Sequence, residues 1–100
     1  MSKKTETFSS YDTADYLNSA ADVAAYLEAV LEVSGDDPAV IARAFGTVAR
    51  SGNLSELARE VGLSREGLYK SLSGDGNPSF ATIMKVAHAF GLRLQFHRVA

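Results

Sequence analysis

"LSELAREVGLSREGLYKSLSGDGNPSF" runs from Leu54 to Phe80, and its reading decides the fold. Leu54, Leu57, Ala58 and Val61 recur at helical spacing and give one apolar stripe over about eight residues. Asn53 and Glu56 stand at capping-box spacing, with Asn in place of the usual Ser or Thr. Gly62 breaks that helix. Ser64 can cap a second short one, whose inner face is Leu68 and Leu72. From Gly74 to Pro78 no helix can continue. Two short helices joined by about three residues through a glycine form a helix-turn-helix, here over residues 53–73. Gly62 can take the positive φ of the turn. Ala58 is small where the helices approach. Leu57, Val61, Leu63 and Leu68 are the expected shared core.

The second helix then presents Arg65, Glu66, Tyr69 and Lys70 on its outer face. Laid in a major groove, such a face reaches base edges and phosphates. Arg65 suits bidentate contact with guanine, and Glu66 can accept from a cytosine amino group. Tyr69 and Lys70 suit the backbone. The caps at Asn53 and Ser79 precede free backbone N–H groups, which favour phosphate. Ser55, Asn77 and Ser79 are therefore expected backbone clamps, which position a protein without reading sequence. A glycine-turned helix pair can also be packing alone, and the sequence pI of 5.6 is low for a DNA binder.

The charge distribution partly answers that objection. Residues 1–38 hold two lysines against eight carboxylates, a balance of −6. Residues 39–100 hold eight arginines and lysines against four carboxylates, a balance of +4. An acidic half prefers a basic partner, and a basic half can face phosphate, unless both are simply solvated faces.

The flanks extend the helical pattern. Residues 1–10 read as a polar N-terminal arm containing Phe8, and residues 11–100 as one domain. A first helix is expected from Thr13 to Leu17. A longer one follows a Ser19 cap, with Val23, Leu27, Val30 and Leu31 on one face, Tyr26 beside them and Gly35 as a left-handed stop. Asp37 can cap the next helix with Pro38 at its first position. Ile41, Ala44, Phe45 and Val48 form its inner face, and Ser51-Gly52 ends it. Ser79 caps a last helix with Ile83, Val86, Ala87 and Phe90 inside and Gly91 at its end. Leu92, Leu94 and Phe96 then alternate with Arg93, Gln95 and His97, which is strand spacing. A single strand needs a partner, either the N-terminal arm or the same strand of a second subunit.

One hundred residues make one domain with a modest core. The chain has no cysteine, which excludes disulfides, zinc–thiolate sites and a thiol nucleophile. No apolar run approaches the roughly 18 residues of a membrane span, and the N-terminus lacks the apolar core of a signal peptide. A cytoplasmic protein is expected. His88 and His97 lack a third metal ligand. Gly74-Asp75-Gly76-Asn77 lacks both the lysine of a P-loop and the ligand spacing of an EF-hand, so it reads as a turn. Nothing points to catalysis, a metal or a cofactor.

The segments "ELAREVGLSREGLYKSL" (residues 56–72) and "DGNPSFATIMKVAHAFGLRL" (residues 75–94) carry a resemblance. They look like the Cro/phage-repressor (Xre-type, lambda-repressor-like) helix-turn-helix. With "YLEAVLE" and "DDPAVIARAFGTVARSGN" before them, they resemble more narrowly the DNA-binding antidote proteins of bacterial addiction modules, over residues 16–94. The resemblance implies an antitoxin of a type II toxin–antitoxin module. Such a protein neutralises a small basic RelE/ParE/HigB-like toxin by direct binding. As a dimer, it represses its own operon at double-stranded operator DNA. The recognition helix would begin at Ser64-Arg65-Glu66. Gly67 and Ser71 depart from the pattern, where a better helix former and an apolar residue are usual. For the toxin contact, the acidic N-terminal region offers Tyr16, Asp22, Tyr26 and Glu28, although Tyr26 also fits an ordinary core.

The expectation is an all-α domain of about five helices with a short C-terminal β-strand, acting as a homodimer without enzymatic activity. A phage-type transcriptional regulator without a toxin is the first alternative. A protein-interaction module whose helix-turn-helix no longer binds DNA is the second.

Overall fold

A computed structural model describes residues 13–99; the expected N-terminal arm lies outside them. Five α-helices follow a short 3-10 turn. They are α1 (Ala20–Ser34), α2 (Pro38–Arg50), α3 (Leu54–Val61), α4 (Arg65–Ser71) and α5 (Phe80–Ala89). The first helix expected from Thr13 to Leu17 is a 3-10 helix, Thr13–Tyr16. With so few residues before the break at Asn18 and Ser19, only i→i+3 bonding closes, as in Leu17 N–H to Ala14 O at 3.3 Å.

Each helix begins where its capping residue dictates. The side chains of Ser19, Asp37, Asn53, Ser64 and Ser79 accept from the N–H groups of Asp22, Ala39, Glu56, Gly67 and Thr82, at 2.9 to 3.1 Å. Pro38 opens α2, where its missing N–H loses no bond. The stops are of two kinds. α3 and α5 share one device. Gly62 (φ 83°) and Gly91 (φ 79°) turn left-handed, and the following leucine N–H reaches back to Ala58 O and Ala87 O, at 2.9 Å each. α1 ends otherwise. Gly35 is right-handed (φ −62°), correcting the expected left-handed stop. Asp37 N–H closes a tight turn onto Ser34 O at 3.0 Å and leads directly into α2.

The core draws on every helix. Val23 of α1, Val48 of α2, Leu68 of α4, Val86 of α5 and Leu72 just after α4 are its largest fully buried side chains. Leu57, Ala58 and Val61 of α3 and Phe45 of α2 are buried with them. Gly46, in the interior of α2, lies close against Leu72, the residue that ends α4. A Cβ there would lie 2.7 Å from the Leu72 carbonyl oxygen. An interior glycine costs a helix about 1 kcal/mol relative to alanine, and here the cost permits backbone contact.

Two expected core positions face solvent. Leu31 is 51 % exposed. At 100° per residue it lies about 90° around α1 from the centre of the Val23/Tyr26/Leu27/Val30 stripe. α1 packs principally on α2, so its buried stripe is narrow. Leu63 is 39 % exposed, because it belongs to the turn that caps α3 rather than to either helix.

The expected strand is not found among the described residues. From residue 92 to 99 the chain has no helix, turn, bend or strand. Strand pairing requires a second strand, and none of the described residues supplies one. Among the described residues, no helix is long and apolar enough to cross a membrane.

Candidate nucleic-acid interface

α4 is short, seven residues, and is held from inside by Leu68, which has no exposed surface. Its departures from a good helix sequence have local explanations. Gly67 donates to the Ser64 hydroxyl at 2.9 Å, and a Cβ at Gly67 would come within 3.0 Å of that oxygen. Glycine therefore fits under the cap. Ser71 returns its hydroxyl to Leu68 O at 3.0 Å, while Leu72 fills the interior next to it.

Anchoring the inner face leaves the outer face free. Arg65, Glu66, Tyr69 and Lys70 are all exposed. Arg65, Glu66 and Tyr69 line one open groove of about 590 Å³ together with Arg50, Gly52 and Leu54. The groove thus joins the outer face of α4 to the end of α2 and the start of α3. Two guanidinium groups, a carboxylate and a phenol line it, and the Arg50 guanidinium also donates to the Thr47 hydroxyl at 3.5 Å. The guanidiniums can take phosphate or a guanine edge, and Tyr69, 57 % exposed, offers both a ring face and a hydroxyl.

Arg50 is the member that sequence reasoning missed. It ends α2, four residues before α3 opens, and only the packing of α2 against α3 brings it onto the same groove as Arg65. The signal available in the sequence was a basic residue in a last turn, directly before the helix pair. That position also suits the negative end of the α2 dipole, which hides any other role.

The remaining expected DNA contacts are exposed but lie outside this groove. Ser55 sits in the first turn of α3. The Ser64 and Ser79 hydroxyls are engaged as caps, Ser79 also pairing with the Thr82 hydroxyl at 3.0 Å. Asn77 lines a second groove with Asp37, Pro38, Ile41 and Ile83.

The expected toxin-contact residues divide. Tyr16 and Glu28 are exposed. Tyr26 is half-buried against the core. Asp22 completes a local capping pair, accepting from Asn18 N–H at 3.0 Å while its own N–H reaches Ser19. The end of α1 carries a surface that begins within the expected acidic region, which runs from Tyr11 to Glu32, and extends past it. Leu31, Glu32 and Val33 line an open groove of about 620 Å³ with Asp36 and Asp37, apolar side chains set among carboxylates. Among the described residues, no group of His, Asp and Glu is arranged to hold a metal ion.

Residues 7–98 match the model of a family described as "Probable addiction module antidote protein". The chain belongs to this family. It is also 46 % identical over 91 residues to an uncharacterized protein of Haemophilus influenzae, covering 91 % of this chain and 92 % of that one. No solved structure matches the chain. Membership in an antidote family supports an antitoxin role, implies a toxin partner and points to a non-enzymatic regulatory protein.

Proposed function

We propose that this antidote is a type II antitoxin with two working faces. One face is the α3–α4 pair, acting as a lambda-repressor-like helix-turn-helix of the Xre/Cro type on operator DNA. The other is α1, acting on a small basic RelE/ParE/HigB-like toxin in the cytoplasm. The observation that carries the reading is the groove joining Arg50, Arg65, Glu66 and Tyr69 on a chain of the antidote family. Arg65 reads a base edge, and Arg50 and Lys70 hold phosphate on either side. Ser55, Ser64, Asn77 and Ser79 act as flanking contacts. The protein works as a homodimer, because one recognition helix reads only a few base pairs and two half-sites restore specificity. It represses its own operon in this form.

The toxin face is acidic and partly apolar: Glu28, Leu31, Glu32 and Val33, with Tyr16, Asp22 and Tyr26 toward the start of α1. A basic toxin gains charge complementarity there, and Leu31 and Val33 supply buried area. Neutralisation follows from occupation of the toxin's surface.

The two faces lie on different helices, so they are separable. Co-expression with the toxin encoded beside it should restore growth. Glu28→Lys with Glu32→Lys should lose that rescue and keep operator binding, and Arg65→Ala should do the reverse. A double variant that still rescues growth would contradict the toxin face. Rescue lost by Arg65→Ala, with the fold intact, would contradict the division of labour. A phage-type regulator without a toxin would rescue nothing, whereas an interaction module would rescue without binding DNA.

A further inference from the structure

The segment after α5 carries large apolar side chains that nothing among the described residues covers. Phe96 is 91 % exposed and Leu94 40 % exposed, with no helix, turn or bend from residue 92 to 99. The root of the segment is fixed. Leu92 N–H bonds to Ala87 O at 2.9 Å, and Leu92 and Phe90 pack against the core. The segment therefore leaves the domain at a set point, with Leu92, Leu94 and Phe96 at alternate positions.

We infer that this segment pairs with the same segment of a second copy, as a two-stranded antiparallel ribbon about a two-fold axis, with Leu94 opposite Leu94. This names the interface of the homodimer and rests on the dimeric reading above. The register follows from elementary pairing rules. Directly opposed residues share a face of an antiparallel pair, so only registers in which like parity meets keep apolar with apolar. With Leu94 on the axis, Leu92 faces Phe96 and Arg93 faces Gln95, so no cation stands directly opposite another. One step along, with Gln95 on the axis, Arg93 faces His97 and Leu92 faces Arg98. One step further, with Phe96 on the axis, Leu94 faces Arg98. The Leu94-centred register is the one in which Leu92, Leu94 and Phe96 all meet apolar side chains, and like charges directly opposed would be destabilising.

Charge and composition argue against the other occupants. Residues 92–99 hold two arginines, a histidine and no carboxylate, so a basic toxin gains no charge complementarity there, while the Leu94-centred register keeps the cations of two copies from standing opposite one another. Residues 3–10 offer one large apolar side chain, Phe8, against the alternating Leu92, Leu94 and Phe96 of this segment. A second copy matches it one for one. A two-stranded ribbon is a small interface, so association in free solution is concentration-dependent.

Sedimentation equilibrium of the full chain tests the pairing. The wild type should show a reversible monomer–dimer equilibrium, and Phe96→Lys should weaken it by about tenfold or more. Phe96 faces solvent within one chain, so the helical circular dichroism of that variant should not change. The absence of cysteine allows a register test by mild oxidation. Leu94→Cys should form a covalent dimer, and Phe96→Cys, whose two copies lie four residues apart in this register, should not. A wild type that stays monomeric at every concentration would overturn the inference. So would cross-linking through Phe96→Cys but not Leu94→Cys, or a Leu94→Cys cross-link to an arm cysteine placed at Phe8 within one chain. Operator binding by a chain that sediments as a monomer would sink this interface while leaving the DNA-binding reading intact.

Discussion

The α3–α4 pair and α1 face the same solvent but are held in different ways. In the pair, side-chain caps open both helices, a left-handed glycine and a six-to-one backbone bond fix the turn, and Leu57, Ala58, Val61 and Leu68 are buried together. α1 is capped just as well at its start, yet it packs principally on one neighbour, and Leu31 and Val33 at its far end stay in water. The difference fits the two roles proposed for them. A helix that must present side chains at fixed positions to a rigid duplex is over-determined from within. A helix that meets a protein partner can leave apolar surface for that partner to bury.

Substitutions can break this comparison, and the largest effect should come from the inside of the pair. Leu68→Ala removes a side chain with no exposed surface and should cost about 3 kcal/mol, within the 2–5 range for buried leucines. Leu31→Ala should stay within about 0.5 kcal/mol. Urea denaturation of both variants checks the contrast, and equal losses would erase the distinction drawn between the two regions. Gly46→Ala comes next. The helix gains about 1 kcal/mol of propensity, but a Cβ set 2.7 Å from Leu72 O forces α2 away from the end of α4. The clash should win, for a net loss of about 1–2 kcal/mol in the same experiment. A stabilised Gly46→Ala would mean that the two helices are not tightly docked.

Removing the caps should cost less. Asn53→Ala and Ser64→Ala should each lower stability by about 1 kcal/mol, measured as a shift in thermal midpoint. Smallest of all is Gly67→Ala. The propensity gain of about 1 kcal/mol is offset by crowding of the Ser64 hydroxyl at 3.0 Å, so the net change should lie within about 0.5 kcal/mol.

Local chemistry was legible in the sequence, and tertiary proximity was not. All five helix caps and the Gly62 turn could be read directly, because each depends on residues within five positions of one another. Gly35 could not, since a glycine permits either hand and the immediate start of α2 decided the matter. Leu31 and Leu63 misled because periodicity marks apolar positions without saying how many neighbours a helix has. Arg50 and Gly46 were silent for the same reason: one reaches the candidate interface and the other touches α4 only through packing between helices. The alternation of Leu92, Leu94 and Phe96 is plain in the sequence, but a strand is a property of two segments, and the described residues hold one.

The most direct test of the central claim is a fluorescence-anisotropy titration of the protein's own upstream DNA at two salt concentrations, with wild type, Arg65→Ala and Lys70→Ala side by side. Wild type should bind with strong salt dependence. Arg65→Ala should lose about tenfold to a hundredfold in affinity, the discrimination expected of one bidentate base contact. Lys70→Ala should weaken binding across all sequences and lower the salt slope by about one. Binding that ignores salt, or that survives Arg65→Ala unchanged, would contradict recognition through the outer face of α4.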